Sequence, residues 1–174
     1  MSFHGASFFS YGMEIGRVIV RKGKKAYLLT VDGYSDTTSK HKNICRYAIP
    51  NGSTVFWVSR LDKIDPIKSK RDAKRMVANA LFWAARDGQA ASRARERKLD
   101  RLEEQSAWIR QAELITAYFE LPPQDFETMR AEVTGQIKAE KKRRKQIAIE
   151  EAADKEREQL IDSVRTAFTN QVTA

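Results

Sequence analysis

The sequence is short of the residues on which disulfide networks and metal centres depend. One cysteine and two histidines occur among 174 residues, which excludes an internal disulfide and leaves too few ligands for a usual zinc site. No apolar run approaches the ~18 residues of a membrane-spanning helix, and the first stretch, MSFHGASFFSYG, lacks the basic and apolar regions of a signal peptide. We therefore expect an intracellular protein with no membrane contact, no metal and no cofactor.

Motifs for common enzyme chemistry are also missing. The sequence contains no G-x-x-x-x-G-K-[ST] loop, no G-x-G-x-x-G, no H-E-x-x-H and no C-x-x-C. Ser35, Asp36 and His41 supply the letters of a catalytic triad, but such letters often fall within a short stretch by chance. We expect His41 to be a packed histidine with one hydrogen bond and Cys45 to be a small core residue. The protein is not predicted to be an enzyme.

Basic residues are present in excess and are unevenly distributed. Lys and Arg outnumber Asp and Glu by 32 to 23, and the pI is near 9.7. Residues 1–70 carry 12 basic and 5 acidic residues, residues 71–99 carry 8 and 3, and residues 100–174 carry 12 and 15. Such a surface favours a nucleic acid or another polyanion as partner. We expect that partner to bind residues 1–99, with the remainder acting as a handle or assembly surface.

The first part of the chain predicts a small sheet and one helix. Apolar and β-branched runs predict three strands, at 14–20, 26–31 and 54–59. The RKGKK sequence predicts a hairpin turn between the first two. Apolar spacing predicts a helix over 38–49, ended by Pro50, with one buried face formed by His41, Ile44, Cys45 and Ala48. The predicted order is β-β-α-β.

The rest of the chain predicts long helices. Apolar stripes predict one helix from Ser69, a second within 92–121, and a third from about 124 to 170 whose middle is almost entirely charged. The predicted fold class is α+β, with a small basic domain over 1–66 and a helical region over 67–174 that turns at Pro122-Pro123. The helical region is predicted to be a hairpin or an extended arm, and it is the candidate surface for homo-oligomer formation.

The segment YSDTTSKHK places hydroxyl groups and then cations at the start of the short helix. Thr37 or Thr38 is the expected N-cap. Lys40 and Lys42 would then face the positive end of the helix dipole, at a cost of about 0.3–1 kcal/mol for each exposed charge. Solvent screening is one explanation. The other is a bound anion, held by the free N–H groups with Thr38, Ser39 and Lys40.

We predict that these groups belong to a surface that binds phosphates. Arg93, Arg97 and Arg101 recur at i, i+4 and i+8, which predicts a second basic ridge on one helix face. Backbone contacts of this kind give salt-dependent affinity with little sequence preference. The predicted binding residues are Lys22, Lys24, Lys25, Thr38, Ser39, Lys40, Lys42, Arg46, Arg93, Arg97 and Arg101.

The sequences FSYGMEIGRVI and YSDTTSKHKNICRYAI resemble a family of small phage-encoded domains. Members combine a Phe-Ser-Tyr start with a Tyr-Ser-x-Thr-Thr-Ser-Lys-His segment, and the resemblance covers about residues 8–60. It implies a phage or mobile-element origin but no catalytic residue, because no activity is established for the family. The positions that it marks as family-defining are Tyr34, Ser35, Thr37, Thr38, Ser39, Lys40 and His41.

Taken together, these patterns predict a non-enzymatic phage or mobile-element protein, in the host cytoplasm, that binds DNA or RNA through its backbone. Two other functions fit the same sequence. One is a phage inhibitor that docks on an acidic host enzyme or defence complex, since positive charge and long helices suit a protein partner equally. The other is a virion or scaffold component, in which the charged helix is a spacer.

Overall fold

The computed structural model describes the backbone of residues 1–33 and 35–172 and the side chains of those residues up to 165. Tyr34, one of the positions marked by the resemblance, lies outside the described residues. The protein is α+β, as predicted, with an N-terminal sheet followed by long helices. It divides into two compact units, Met1–Val133 and Thr134–Ala174. The first unit contains the sheet and two long helices, and separate folding of 1–66 stays a prediction.

The sheet has five strands in sequence order. They are β1 (Ser2–His4), β2 (Ser7–Ser10), β3 (Met13–Arg21), β4 (Lys24–Thr30) and β5 (Thr54–Val58). Neighbouring strands are antiparallel except β4 and β5, which are parallel. Helix α1 (Asp36–Ala48) makes the crossover that a parallel pair requires. The predicted β-β-α-β unit is therefore confirmed as β3-β4-α1-β5, and β1 and β2 extend the sheet beyond what was predicted.

Strand register gives the sheet two distinct faces. Phe8, Gly16, Leu29 and Trp57 lie side by side in successive strands on one face. Gly16 is closely covered there, since a Cβ at this position would lie 3.1 Å from a Leu29 methyl carbon and 3.2 Å from the Phe8 ring, and both would have to shift slightly. Helix α1 covers this face, where Cys45 packs with Ile15 and Leu29. Cys45 is a core residue, as expected.

The buried face of α1 differs from the predicted one. Thr38 and Cys45 are its buried residues, whereas Ile44 is 51% exposed and Ala48 is also exposed. The prediction that Ile44 and Ala48 share the buried face is therefore wrong. The spacing Thr38 to Cys45, two helical turns, shows that a hydroxyl rather than a hydrocarbon begins the stripe facing the sheet.

Three long helices follow the sheet: α2 (Lys70–Arg93), α3 (Lys98–Phe119) and α4 (Phe126–Val172). Ser69 caps α2 by accepting from the Asp72 N–H, and Pro122-Pro123 separates α3 from α4. Helices α2 and α3 pack closely. A Cβ added at Gly88 would lie 2.6 Å from the end of the Gln105 side chain, which would have to move to make room for it. No helix among the described residues combines the length and apolar character needed to cross a membrane.

Helix α3 also protects the free edge of the sheet. The Trp57 N–H donates to Gln111 Oε1 at 3.1 Å, and Gln111 Nε2 donates to the Trp57 carbonyl at 2.6 Å. This side-chain amide replaces the strand partner that β5 lacks on its outer edge. Two turns further along α3, Tyr118 and Phe119 pack on the buried Phe56 ring. The helices are therefore fastened to the β5 side of the sheet.

We predict that Gln111→Ala lowers the free energy of unfolding by about 1–3 kcal/mol, because it leaves a backbone N–H and a carbonyl of the buried edge without partners. Urea unfolding followed by circular dichroism measures the loss. Gln89→Ala, an exposed glutamine on α2, is the matched control and should change stability by no more than about 0.5 kcal/mol. Equal effects of the two substitutions would contradict the role given to Gln111.

Candidate nucleic-acid interface

The predicted basic hairpin turn is partly neutralised by the C-terminal end of α3. Lys22 Nζ lies 2.6 and 2.8 Å from the two carboxylate oxygens of Glu120. Arg21 donates to the Tyr118 carbonyl at 2.7 Å and to Glu120 at 3.2 Å. Hydrogen bonds from Lys22 and then from Arg21 hold the pKa of Glu120 below its usual value. Lys22 therefore has a partner within the protein.

Lys24 and Lys25, which follow that turn, have no acidic partner among the described residues of the kind that Glu120 provides for Lys22. The side chains of Lys24 and Lys25 are exposed, and neither ammonium makes a hydrogen bond or ion pair with any residue that the structure describes. Their backbone is held in β4, and the Lys24 carbonyl accepts from the Tyr118 hydroxyl at 2.8 Å. This end of the sheet therefore presents two available cations on a fixed backbone.

The start of α1 is capped by a residue other than the predicted one. Ser35 is the N-cap, and its Oγ accepts from the Thr38 N–H at 3.2 Å. Thr38 is 1% exposed, and its hydroxyl contacts Ser35 Oγ at 3.1 Å and Ser10 Oγ at 3.4 Å. The predicted cap at Thr37 or Thr38 is wrong, because a long-range contact with β2 draws the Thr38 hydroxyl inward. That hydroxyl is not available to an anion at the surface.

The basic side chains that follow the N-cap of α1 differ in whether the protein already provides them with a partner. Lys42 Nζ donates to the Asp32 carbonyl at 2.8 Å, and the Arg46 guanidinium lies 5.8 Å from the centre of the Trp57 ring. Ser39 and Lys40 are exposed, and Asp36 supplies a carboxylate to the first turn. The helix dipole thus already meets a negative charge. Of the predicted cations of α1, Lys40 alone lacks a described partner.

His41 is half-buried next to β2, where its Nδ1 lies 2.8 Å from Ser10 Oγ. This agrees with the expected packed histidine that makes one hydrogen bond. Ser10 is completely buried. A serine without solvent access is not open to attack a substrate, so the pair has the geometry of a structural contact.

Asp32 is a polar junction that the sequence patterns did not indicate. Its carboxylate accepts from Ser59 Oγ at 2.8 Å and from the Arg60 N–H at 2.7 Å. Asp32 follows β4, and Ser59 and Arg60 follow β5, so the junction joins the carboxyl ends of the two parallel strands. Arg60 has a φ of 54°, a conformation that costs a non-glycine residue free energy and that these contacts stabilise.

A second missed group is the ion pair of Glu14 and Arg17 on the face away from α1. The strand register shifts at this point and leaves Ile15 as the extra residue of a β-bulge, so Glu14 and Arg17 lie on one side. Arg17 also donates to the Ile64 carbonyl at 2.7 Å. The hydrogen bond with Glu14 is the main cause of the raised pKa of Arg17. The pair lines a cavity of about 790 Å³. The hydrogen bonds of Glu14 and Arg17 are nevertheless made to each other and to backbone carbonyl groups of the protein.

The three arginines predicted on one helix face lie instead around a turn. Helix α2 ends at Arg93, the chain leaves helical geometry, and α3 begins at Lys98 with Arg97 as its N-cap. The predicted i, i+4, i+8 ridge is therefore wrong. The turn nevertheless brings all three together around an open depression of about 620 Å³. We call this the arginine groove, and its charged lining consists of Arg93, Arg95, Glu96, Arg97 and Arg101.

Two arginines of the groove are tethered and two are available. Arg101 lies 3.1 Å from the largely buried Asp87 carboxylate and 2.8 Å from Glu104, while Arg97 lies 3.4 Å from Asp100. Arg93 and Arg95 are exposed and make no hydrogen bond or ion pair with another described residue. The groove therefore combines two guanidinium groups fixed by carboxylates with two that can bind an external ligand.

The residues predicted to form one phosphate-binding surface thus lie at separate places in the structure. Helix α3 has 22 residues and is about 33 Å long at 1.5 Å per residue. The arginine groove lies at its N-terminal end, and the hairpin turn contacts Glu120 at its C-terminal end. One short phosphate segment cannot contact both.

Comparisons with protein-family models, curated proteins and solved structures give no significant match to this chain. The resemblance to phage-encoded domains therefore stays a prediction. Among residues 1–33 and 35–172, no group of three or more His, Cys, Asp or Glu side chains is arranged to hold a metal ion.

We predict that Glu120→Gln lowers stability near neutral pH but not in acid. The folded-state pKa of Glu120 is depressed below 4.5 by Lys22 and Arg21. The Glu120 carboxylate therefore contributes to folding stability above its usual pKa, and this contribution is lost as the pH falls through its folded-state pKa. Urea midpoints should differ from those of the parent protein near neutral pH and converge in acid, as the pH falls through the depressed pKa of Glu120. Glu132→Gln, at an exposed carboxylate of α4, is the control. A gap of equal size at both pH values would contradict the ion pair.

Proposed function

We propose that this protein binds nucleic acid through the phosphate backbone and catalyses no reaction, as a phage or mobile-element product acting in the host cytoplasm. The observation that supports this most directly is the arginine groove. Four arginines and one glutamate line it, and two of those arginines have no described partner. Guanidinium groups bind phosphate oxygens in a planar, two-point geometry, which makes such a cluster a fitting phosphate site.

The tethered and the available arginines have different roles in this proposal. Arg97 and Arg101 are held by carboxylates that offset their charge, so they fix the shape of the groove and are not its main phosphate contacts. Arg93 and Arg95 make the phosphate contacts and displace condensed counterions. The depression is open, and in this proposal its arginines contact phosphates and not base edges. Affinity should therefore depend steeply on salt and weakly on sequence.

The basic groups of the sheet are secondary in this proposal. Lys22 and Lys42 already bond to protein oxygens, and Thr38 is buried. Lys24, Lys25 and Lys40 remain exposed and raise the general positive potential, which attracts a polyanion before it docks.

A protein partner is the second candidate function. Three exposed apolar side chains of α4, Leu160, Ile161 and Val164, are 66%, 45% and 54% exposed. They lie within two turns of one helix, which favours contact with another helix. This observation suits the inhibitor and the virion component equally, and it also suits self-association. Pull-down from nuclease-treated host lysate, and assay of purified particles, would distinguish these alternatives.

We predict that Arg93→Gln with Arg95→Gln weakens binding to an oligonucleotide at least tenfold at about 100 mM salt and reduces the salt slope by roughly 0.7–0.9 for each lost contact. Fluorescence anisotropy between about 50 and about 200 mM salt measures both quantities. The matched control is Lys24→Gln with Lys25→Gln, which removes the same charge beyond the opposite end of α3.

The control should change the affinity by less than about threefold, because those lysines contribute only general potential. Equal losses in the two double variants would show that the arginine groove has no special role. An affinity that does not fall with salt, or no binding at all, would overturn the proposed function.

A further inference from the structure

The outer face of α2 leads directly from the arginine groove. It consists of residues spaced three and four apart, all of them exposed: Arg75, Asn79, Phe82, Arg86, Gln89 and Arg93. The helix has two acidic residues: Asp87 is engaged away from this face, and Asp72 pairs with Arg75 at the N-terminal end of the face. Asp72 accepts from the Asp65 N–H and lies 3.5 Å from Arg75, while Asp87 binds Arg101. This face is therefore positive, and its acidic neighbours are already occupied.

One large aromatic ring interrupts this basic face. Phe82 is 63% exposed, although it lies in the middle of a well-packed helix. Its ring makes an edge contact with Trp83 at 5.7 Å, and Trp83 stacks on Trp108 at 6.2 Å. The Arg86 guanidinium lies 4.8 Å from the centre of the Trp83 ring. Phe82 is thus supported by an aromatic and cationic cluster and does not stand alone on the surface.

A scattered exposed phenylalanine needs no explanation, but the position of this one is informative. Phe82 and Arg93 are eleven residues apart on the same face, which places them about 16 Å apart along the helix. Arg86 lies between them, one turn from Phe82. An aromatic ring in line with a row of arginines is the combination that proteins use for unpaired strands, where bases stack on rings and phosphates follow the positive groove.

The same arrangement disfavours a duplex. In a double helix each base is already stacked and paired, and the outside of the helix presents phosphates to a flat or convex surface. Phe82 would then meet sugar and phosphate, and its exposed ring would gain little. An unpaired base is free to cover the ring, so the aromatic group contributes only when the strand is single.

We propose that the ligand is a single-stranded nucleic acid that runs along the outer face of α2, with one base stacked on Phe82 and its phosphates at Arg86, Arg93 and the arginine groove. This inference rests on the proposed function and specifies the form of nucleic acid that is bound. It is carried by the exposed ring, the acid-free face and the continuity of that face with the groove.

The test compares three ligands by fluorescence anisotropy at one salt concentration. They are an oligothymidylate of about 12 nucleotides, an abasic strand of the same length, and the duplex formed with the complementary strand. The proteins are the parent, Phe82→Ala, and Tyr47→Ala as the matched control. Tyr47 is an 86% exposed aromatic residue on α1, the helix that covers the sheet face containing Leu29, and it is not part of the outer face of α2. Thermal unfolding verifies that each variant is folded.

The parent protein should bind the oligothymidylate about tenfold more tightly than the abasic strand or the duplex. Phe82→Ala should lose about tenfold for the oligothymidylate alone and keep the salt slope, and Tyr47→Ala should stay within about twofold of the parent. If Phe82→Ala is neutral, or weakens all three ligands equally, the inference is overturned. In that case salt-dependent binding that is still lost in the Arg93 and Arg95 double variant leaves the proposed function standing. Absence of salt-dependent binding to every ligand overturns both proposals and favours a protein partner.

Discussion

The close packing of α2 against α3 is the constraint on which the rest of this structure depends. Small side chains at the crossing allow the two helices to approach until a Cβ at Gly88 would meet Gln105. The chain must then reverse direction within a few residues, and that reversal gathers four arginines around one depression. At its other end α3 places Gln111 on the edge of β5 and Glu120 on the basic hairpin turn. One helix pair therefore creates the candidate interface and fastens it to the sheet.

Much of the fold could be predicted from residue periodicity, since β3, β4 and β5 bury apolar runs, whereas the existence of α1 but not its buried face could be predicted. The strands β1 and β2 could not, because they are three and four residues long and carry almost no alternation. They are defined by pairing, β1 with β2 and β2 with β3 across short turns, and so few residues leave no alternating pattern in the sequence. The same holds for Ile15, whose role as the extra residue of a bulge appears only when the register with β2 is known.

The candidate site was predicted in composition but not in arrangement. The residues before α1 include several good caps, and propensity does not choose among them. Burial of the Thr38 hydroxyl against Ser10 makes Ser35 the cap. The arginines from 93 to 101 have helical spacing with no proline or glycine to interrupt it. Their helix breaks because α2 and α3 must fold back to bury their apolar faces, which is a tertiary requirement. Phe82 was absent from the predicted site because only the structure shows that it is exposed.

The central claim is that the outer face of α2 and the turn that follows it are where a nucleic acid binds. Backbone amide chemical shifts, recorded by NMR while a single-stranded oligonucleotide is added, test this most directly because they report every part of the surface at once. The account predicts that the largest changes fall on the exposed residues from 79 to 97. Changes confined to the start of α1 or to the turn between β3 and β4 would contradict it.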